Sequence, residues 1–267
     1  MIARLGKNIY MILIFLFLYA PVAVLIVFSF NKTRSRAVWG GFTLEWYRKL
    51  FQNVDILRAL QVTLIVAVVS ALVSTVIATI TCIGLNSLNR RLRSLIMNVT
   101  YIPNITPDLV TGVSLMLLFY FIGLKTGFAT LLLAHIAFNI PYAILSISPK
   151  FRQLDRNLFE AALDLGCKPR QAIIRVILPE IMPGIVTALI LTFTLSIDDF
   201  VISYFTAGNQ VSTLAITIYS MARKSVNPQI NALSTLMFLT VLVLLLLVNI
   251  RTTRDLRDKQ NQGDLRK

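Results

Sequence analysis

Between Ala59 and Asn89 the sequence contains no charged residue. About 20 apolar residues suffice for a helix to cross the hydrocarbon of a bilayer, so this stretch is long enough to span one. A second uncharged run extends from Asn8 to Asn31. In lipid every backbone N–H and C=O must be satisfied inside its own segment, which selects helices for such runs. Hydrophobic residues make up 56% of the chain and charged residues only 14%, the latter gathered in short intervals between apolar stretches. The pattern predicts an all-α integral membrane protein with six transmembrane helices, over about 9–30, 60–85, 95–122, 126–148, 183–205 and 232–250. The first run is too long for a signal peptide, whose apolar region spans ~7–15 residues, and is read as uncleaved. Pro103 and Pro107 interrupt the third stretch and predict a kink or break there. Residues 1–8 form a short basic segment before the first span, and residues 251–267 form a charged tail without apolar period, expected to be disordered.

The net charge of +14 would suggest a nucleic-acid partner in a soluble protein. Here the basic residues flank apolar runs, so membrane orientation accounts for them and no nucleic acid is expected. Six spans put both termini on one side. Seventeen of the 26 Lys and Arg fall on the side that carries the termini, the arginines at 90, 91 and 93, and the loop at about 150–180; nine fall on the other. The bias places both termini and that loop in the cytoplasm. No tandem repeat is evident, and Cys82 and Cys167 have neither disulfide-framework nor metal-ligand spacing, so both are expected to be free thiols.

The loop at 150–180 is the polar, helix-capable island of the chain. Asn157 can cap a helix whose Leu158, Ala161, Ala162 and Leu165 form one stripe at i, i+3, i+4 and i+7, able to dock on a partner. Glu160 and Asp164 share a different, solvated side. Gly166 is placed to end that helix in a left-handed conformation, and Pro169 suits the start of a second helix that Pro179 is expected to interrupt. On residues alone this is either a connecting hairpin or a docking element, with short side chains at the corner that let another backbone approach.

Inside the expected spans the formally charged residues are Asp108, Asp198 and Asp199, all acidic in a basic protein. A carboxylate in a span costs about 2.5–3.5 kcal/mol, so these side chains are expected to face a bundle interior, a cavity or a cation. Adjacent helical residues point about 100° apart, so Asp198 and Asp199 cannot both face one pore. Asp199 shares a face with Thr192, Ser196 and Ser203 if the helix is continuous, which favours it as the pathway residue. The alternatives are a helix cap for Asp108 and pairing with a neighbouring subunit or basic side chain for Asp198 and Asp199. Trp46 and Tyr47, in a short amphipathic stretch over 42–51, read either as an interfacial anchor or as cation–π guides for a cationic substrate. His135, the single histidine, reads as a core residue bonded to a helix carbonyl. No catalytic constellation and no metal cluster is present in the pattern, and no phosphate-binding glycine-rich loop with Lys and Ser/Thr occurs.

Glu160-Ala161-Ala162, then Gly166, Val176 and Leu178-Pro179, resembles the EAA signature of permease subunits of bacterial ABC importers. Val176 stands where that family usually has Ile. The stretch with Trp46-Tyr47 and Leu50-Phe51, the run Ile102 to Asp108, and Leu195 to Ser203 are similar to permeases of spermidine/putrescine importers, over nearly the whole chain. The resemblance implies the type I importer permease fold, methionine-permease-like, in the bacterial inner membrane. It implies that Glu160, Ala161, Ala162, Gly166, Leu178 and Pro179 couple to a cytoplasmic ATPase. It implies partners as well: a homologous second permease, two copies of the ATPase, a periplasmic polyamine-binding protein and membrane lipid. ATP and magnesium are then held by the ATPase and no cofactor by this chain. The expected substrate pathway comprises Asp108, Ser196, Asp198, Asp199, Trp46 and Tyr47. Importers of another solute such as ferric iron, and secondary transporters, are the rival readings.

Overall fold

In the computed structural model, residues 2–33, 38–155, 157–224, 228–243 and 246 are described. Among them the chain is helical, with a single isolated antiparallel bridge between Asn31 and Phe42 and no β-strand. It divides into two compact units, residues 59–216 and a second made of residues 1–58 and 217–267.

The helices, in chain order, are α1 (Ile2–Ser29), α2 (Glu45–Gln52), α3 (Val54–Ser87), α4 (Arg90–Ile105), α5 (Asp108–Phe121), α6 (Phe128–Gln153), α7 (Asn157–Asp164), α8 (Pro169–Ala172), a π turn (Ile173–Ile177), α9 (Leu178–Asp198), α10 (Val201–Thr206), α11 (Leu214–Lys224) and α12 (Gln229–Val243). Four stretches are long and apolar enough to cross a membrane: Ile9–Ser29, Val54–Ser87, Phe128–Gln153 and Pro169–Asp198. A fifth arises if α4 and α5 cross together, and these are bent by 106° at Thr106-Pro107. The third span is therefore two helices, as the paired prolines lead one to expect: a proline lacks the amide proton and disfavours helix in the residue before it.

Two helices differ in bounds from the expected spans. Where a fifth span is expected over 183–205, one 30-residue helical run extends from Pro169 to Asp198 and breaks before α10. The sixth expected span, 232–250, is helical and apolar as α12, but its last residues and the tail at 251–267 lie outside the described residues.

The unit of residues 59–216 is built on close helix contacts. On α3, Ala67, Ala71, Ser74 and Ala78 stand at helical spacing and are all buried. Small residues let helix backbones approach where lipid offers no hydrophobic drive to associate. Gly184 of α9 does the same against α6, where an added Cβ would come within 2.8 Å of the Lys150 side chain. At one end, Cys82 and Leu85 of α3, Met97 of α4, Ile147 and Phe151 of α6 and Ile181 of α9 form a single core, with Leu158 and Phe159 of α7 packed against it. Toward the other end, Phe119, Ala134, Phe138 and Ile202 form another. Both cysteines are free thiols.

In the unit of residues 1–58 and 217–267, α1 presents large apolar side chains outward between Ile9 and Val27, Phe17 being 81% exposed. Its C-terminal loop is organised by Asn31, whose side chain donates to the Val38 carbonyl at 2.8 Å and accepts from the Gly40 amide at 2.8 Å.

Candidate functional site

The corner after α7 is closed by its own backbone. Gly166 takes φ +84°, the left-handed region that favours glycine. Its amide donates to the Leu163 carbonyl at 2.9 Å and the next amide, of Cys167, reaches back to Ala162 at 3.1 Å. That pair of bonds is the Schellman closure of a helix C-terminus. The N-terminus is formed differently from expectation. Asn157 lies inside α7 and does not cap it; instead the Asp155 carboxylate accepts the Asn157 amide at 3.0 Å. The expected apolar stripe is divided. Leu158 and Ala162 turn inward, whereas Ala161 and Leu165 are exposed, Leu165 by 87%. Glu160 and Asp164 are exposed too, and an added Cβ at Gly166 meets nothing within 4 Å. The corner thus offers an open surface of short side chains with one projecting leucine and two carboxylates.

Pro179 does not interrupt the second helix. The amide of Leu178 reaches back five residues to the Ile173 carbonyl, making the π turn, and Pro179 then falls in the first turn of α9, where a missing N–H costs least. Leu178 packs against the core while Pro179 is exposed. The consequence is a continuous helical run of about 45 Å from the corner to Asp198.

At the far end of that run the helix stops. Asp199 has extended backbone, φ −62° and ψ 121°, and its carboxylate accepts the amides of Ile202 at 3.3 Å and Ser203 at 2.8 Å, capping α10. The expected polar face through Ser203 is therefore not helical, since α9 ends at Asp198; Ser203 meets Asp199 by capping. His135 of α6 completes the group, with Nε2 3.0 Å from the Ser203 hydroxyl and 3.5 Å from Asp199. This corrects the reading of His135 as bonded to a helix carbonyl. Its ring is 1% exposed and Asp199 8%, whereas Asp198 is exposed.

One turn along α6 from His135, Asn139 donates to the hydroxyls of Ser196 at 2.8 Å and Ser70 at 3.2 Å, and those two hydroxyls are 3.0 Å apart. Ser196, expected in the pathway, is 3% exposed and held in this network. Among the described residues, no hydrogen-bond partner reaches the buried His135 Nδ1 or Asn139 Oδ1.

Asp108 begins α5. Gly112 of α5 lies against Val201 and Ile202 of α10, and farther along Thr126 meets Gly208, so α5 and α10 run in the same direction. Asp108 stands one turn before Gly112 on the same face of α5. It is exposed, within electrostatic range of Tyr142, and no side-chain hydrogen bond caps α5. The three carboxylates differ in setting: Asp199 is bound into the fold, whereas Asp108 and Asp198 are open.

Trp46 and Tyr47 lie in the other unit. The Trp46 indole is 5% exposed and donates to the Asn31 carbonyl at 2.7 Å, with Lys49 Nζ 5.1 Å from its ring centre. The Tyr47 hydroxyl is 2.7 Å from that of Ser29. Sequence reasoning missed Ser70, Asn139 and the part played by His135. The signal available was three polar residues at apolar helix positions, without any indication that they meet. Among the described residues no group of three His, Cys, Asp or Glu could hold a metal ion.

Residues 74–253 match the family described as binding-protein-dependent transport system inner membrane component. The chain is similar to the spermidine/putrescine transport system permease protein PotC of Escherichia coli (strain K12), 36% identical over 266 residues and covering 100% of both chains. It is also similar to the putrescine transport system permease protein PotI of the same organism, 38% identical, over 83% of this chain and 82% of that one. Among solved structures, a bacterial ABC transporter involved in the import of the acidic polysaccharide alginate matches with TM-score 0.71, covering 94% of this chain and 95% of that one. The MetNI methionine ABC transporter in an inward-facing form matches with TM-score 0.61, covering 75% and 95%. At 19% and 20% identity these two show the fold alone, which is that of ABC importer permeases. With the family matched over residues 74–253 and a full-length relative at 36% identity, the chain belongs to the binding-protein-dependent transport system inner membrane components.

Proposed function

We propose that this chain is the permease subunit of an ATP-driven importer that moves polyamines, spermidine or putrescine, across the bacterial inner membrane by alternating access. The observation that carries the reading is the continuous helical run from Pro169 to Asp198. It joins an exposed corner suited to docking, Glu160 to Gly166, to a group of carboxylates in the apolar part of the chain. A packed helix transmits displacement as a rigid body, so a push at the corner tilts Asp198 relative to Asp108 and to the α10 cap.

The cargo follows from charge. Asp108 and Asp198 are open carboxylates, Asp198 next to the bound carboxylate of Asp199, with no basic residue in an ion pair to either among the described residues. Such a site favours a cation bearing more than one separated charge, and repels anions. The relatives named for polyamine transport agree with that chemistry. The network of Ser70, Asn139 and Ser196 fixes α3, α6 and α9 next to the break, so the carboxylates are positioned by packed helices. Trp46 has its ring covered by Lys49 and its N–H engaged, which makes it a loop anchor in this reading; Tyr47 is half-buried, its ring against Phe30.

The partners proposed are a homologous second permease, two copies of a cytoplasmic ATPase that hold ATP and magnesium, and a periplasmic polyamine-binding protein. In this arrangement the termini and the corner are cytoplasmic and the chain crosses the membrane six times. The test is uptake of labelled spermidine and putrescine by proteoliposomes carrying the chain with its co-purified partners. ATP-dependent uptake that is lost in Asp108→Asn/Asp198→Asn supports the reading; undiminished uptake in that variant contradicts it.

A further inference from the structure

Arg90, Arg91 and Arg93 stand at the start of α4, and the first turn of a helix is the wrong place for them. The helix dipole puts partial positive charge there, so basic side chains at that position are disfavoured unless an anion offsets them. No carboxylate does so: among the described residues the ion pairs are Lys49 with Glu45 and His135 with Asp199. Arg152, in the last turn of α6, faces the same space. The resulting cavity, of about 1000 Å³, is lined by Asn86, Arg90, Arg93, Asn98, Tyr101 and Arg152, among others, with no acidic residue in its wall. A second opening of about 730 Å³ shares Arg90, Ser94 and Asn98 and continues along Leu95, Val99 and Ile102.

The continuation indicates the occupant. Leu95, Val99 and Ile102 fall at i, i+4 and i+7, a single stripe, and are 60%, 57% and 53% exposed. The stripe runs about 10 Å along α4, away from the arginines. At its basic end lie Met97 and Leu85, in one core with Phe151 and, packed against it, Leu158 of α7, so the arginines sit at the end of the bundle that carries the Glu160 corner. A basic pocket at the membrane's edge with an apolar track leading into the bilayer has the chemistry of a phospholipid: guanidinium groups for a headgroup phosphate and a stripe for an acyl chain. A free phosphate or nucleotide could use the arginines but has no use for the stripe.

We propose that the cavity between the start of α4 and the end of α6 is a binding site for an anionic phospholipid, with Arg90, Arg93 and Arg152 holding the headgroup and Leu95, Val99 and Ile102 seating an acyl chain. The proposal rests on the proposed function only in placing this end of the bundle at the cytoplasmic leaflet. Occupancy joins α4 to α6 beside the corner, so the lipid stiffens the region against which α7 moves.

The complex is purified from vesicles of phosphatidylcholine containing one-fifth phosphatidylglycerol, and retained lipid is counted by extraction and by native mass spectrometry. The wild type is expected to retain phosphatidylglycerol well above its bulk share. The triple variant Arg90→Gln/Arg93→Gln/Arg152→Gln is expected to lose about nine-tenths of that excess, a tenfold change, with phosphatidylcholine retention and subunit assembly unchanged. The triple Arg→Lys variant keeps the charge and is expected to retain most of the excess, which separates lost binding from lost folding. Val99→Asn is expected to weaken phosphatidylglycerol retention, and millimolar inorganic phosphate is expected to displace the lipid from neither this variant nor the wild type. Equal retention in wild type and the Gln variant overturns the proposal. So does displacement of the lipid by millimolar inorganic phosphate, the mark of a free-anion site, and so does lost ATPase association with lipid retention unchanged. Because retention is counted without transport, failure of polyamine uptake leaves this result standing, and failure of retention leaves the uptake result standing.

Discussion

The Glu160–Gly166 corner and the Asp199 break are both places where a helix stops, and they stop in opposite ways. At the corner, Gly166 adopts a left-handed conformation, the backbone satisfies itself, and the side chains are left outside. At the break, a non-glycine residue adopts extended backbone, a carboxylate satisfies the following amides, and His135, Ser196 and Ser203 around it are buried. An exposed end is free to meet a partner; a buried end cross-linked by polar bonds is held in place until the helix entering it moves. The α8–α9 run joins the two, which is why the proposed function has it carry a force from the corner to the break.

The largest effect is expected at the open carboxylates. Asp108→Asn/Asp198→Asn should lower ATP-dependent uptake of labelled spermidine by roughly a hundredfold, with assembly unchanged on size-exclusion chromatography. A fall of less than twofold would show that the charge at the break does not matter. Next comes the corner. Gly166→Val forces a β-branched side chain into a left-handed conformation that costs an ordinary residue roughly 1–2 kcal/mol; ATPase co-purification and uptake should be lost while membrane insertion persists. Gly166→Asn, a residue that tolerates this conformation, should retain most of both, and equal loss in the two variants would mean that size and not backbone conformation governs docking.

His135→Leu sharpens the other side. It strands the Ser203 hydroxyl in a buried place and removes the imidazole beside the Asp199 carboxylate, which keeps its two amide donors, at a cost of about 1–3 kcal/mol. The melting temperature of the purified complex should fall by several degrees, with uptake reduced less than in the carboxylate variant. No change in melting temperature would remove His135 from the group that holds the break. The smallest effect is expected in the other unit. Trp46→Phe removes the indole bond to the Asn31 carbonyl and should destabilise by about 1 kcal/mol, read as a modest drop in melting temperature, with the KM for spermidine unchanged. A raised KM at an unaltered melting temperature would restore Trp46 to the substrate path.

The corner was legible in the sequence and the break was not, for a reason visible in the distances along the chain. Everything that shapes the corner lies within a few residues: Asp155 to Cys167 contains the amide acceptor, the apolar positions, the left-handed glycine and the closing amides. Even there the identity of the cap was displaced by two residues, because Asp and Asn are interchangeable as signals. The break draws on Ser70, Asn139, Ser196 and Ser203, separated by as many as 126 residues in a single hydrogen bond. Such pairings are set by helix packing, and no local period records them. Pro179 misled for a related reason. Its effect on a helix depends on the turn before it, and the π turn at Ile173–Ile177 absorbs what would otherwise be a stop. The intramembrane acids were visible as an unusual charge pattern, while the division of labour between Asp198 and Asp199 depended on where α9 ends.

The most direct test is a transport assay on proteoliposomes containing the chain with its co-purified partners, in which uptake of labelled spermidine, putrescine and a sulfate control is followed with and without internal ATP. The account predicts uptake of the two cations that requires ATP, no uptake of sulfate, and loss of cation uptake in Gly166→Val. Polyamine uptake that proceeds without ATP, or ATP-dependent uptake of sulfate in place of the polyamines, would contradict it.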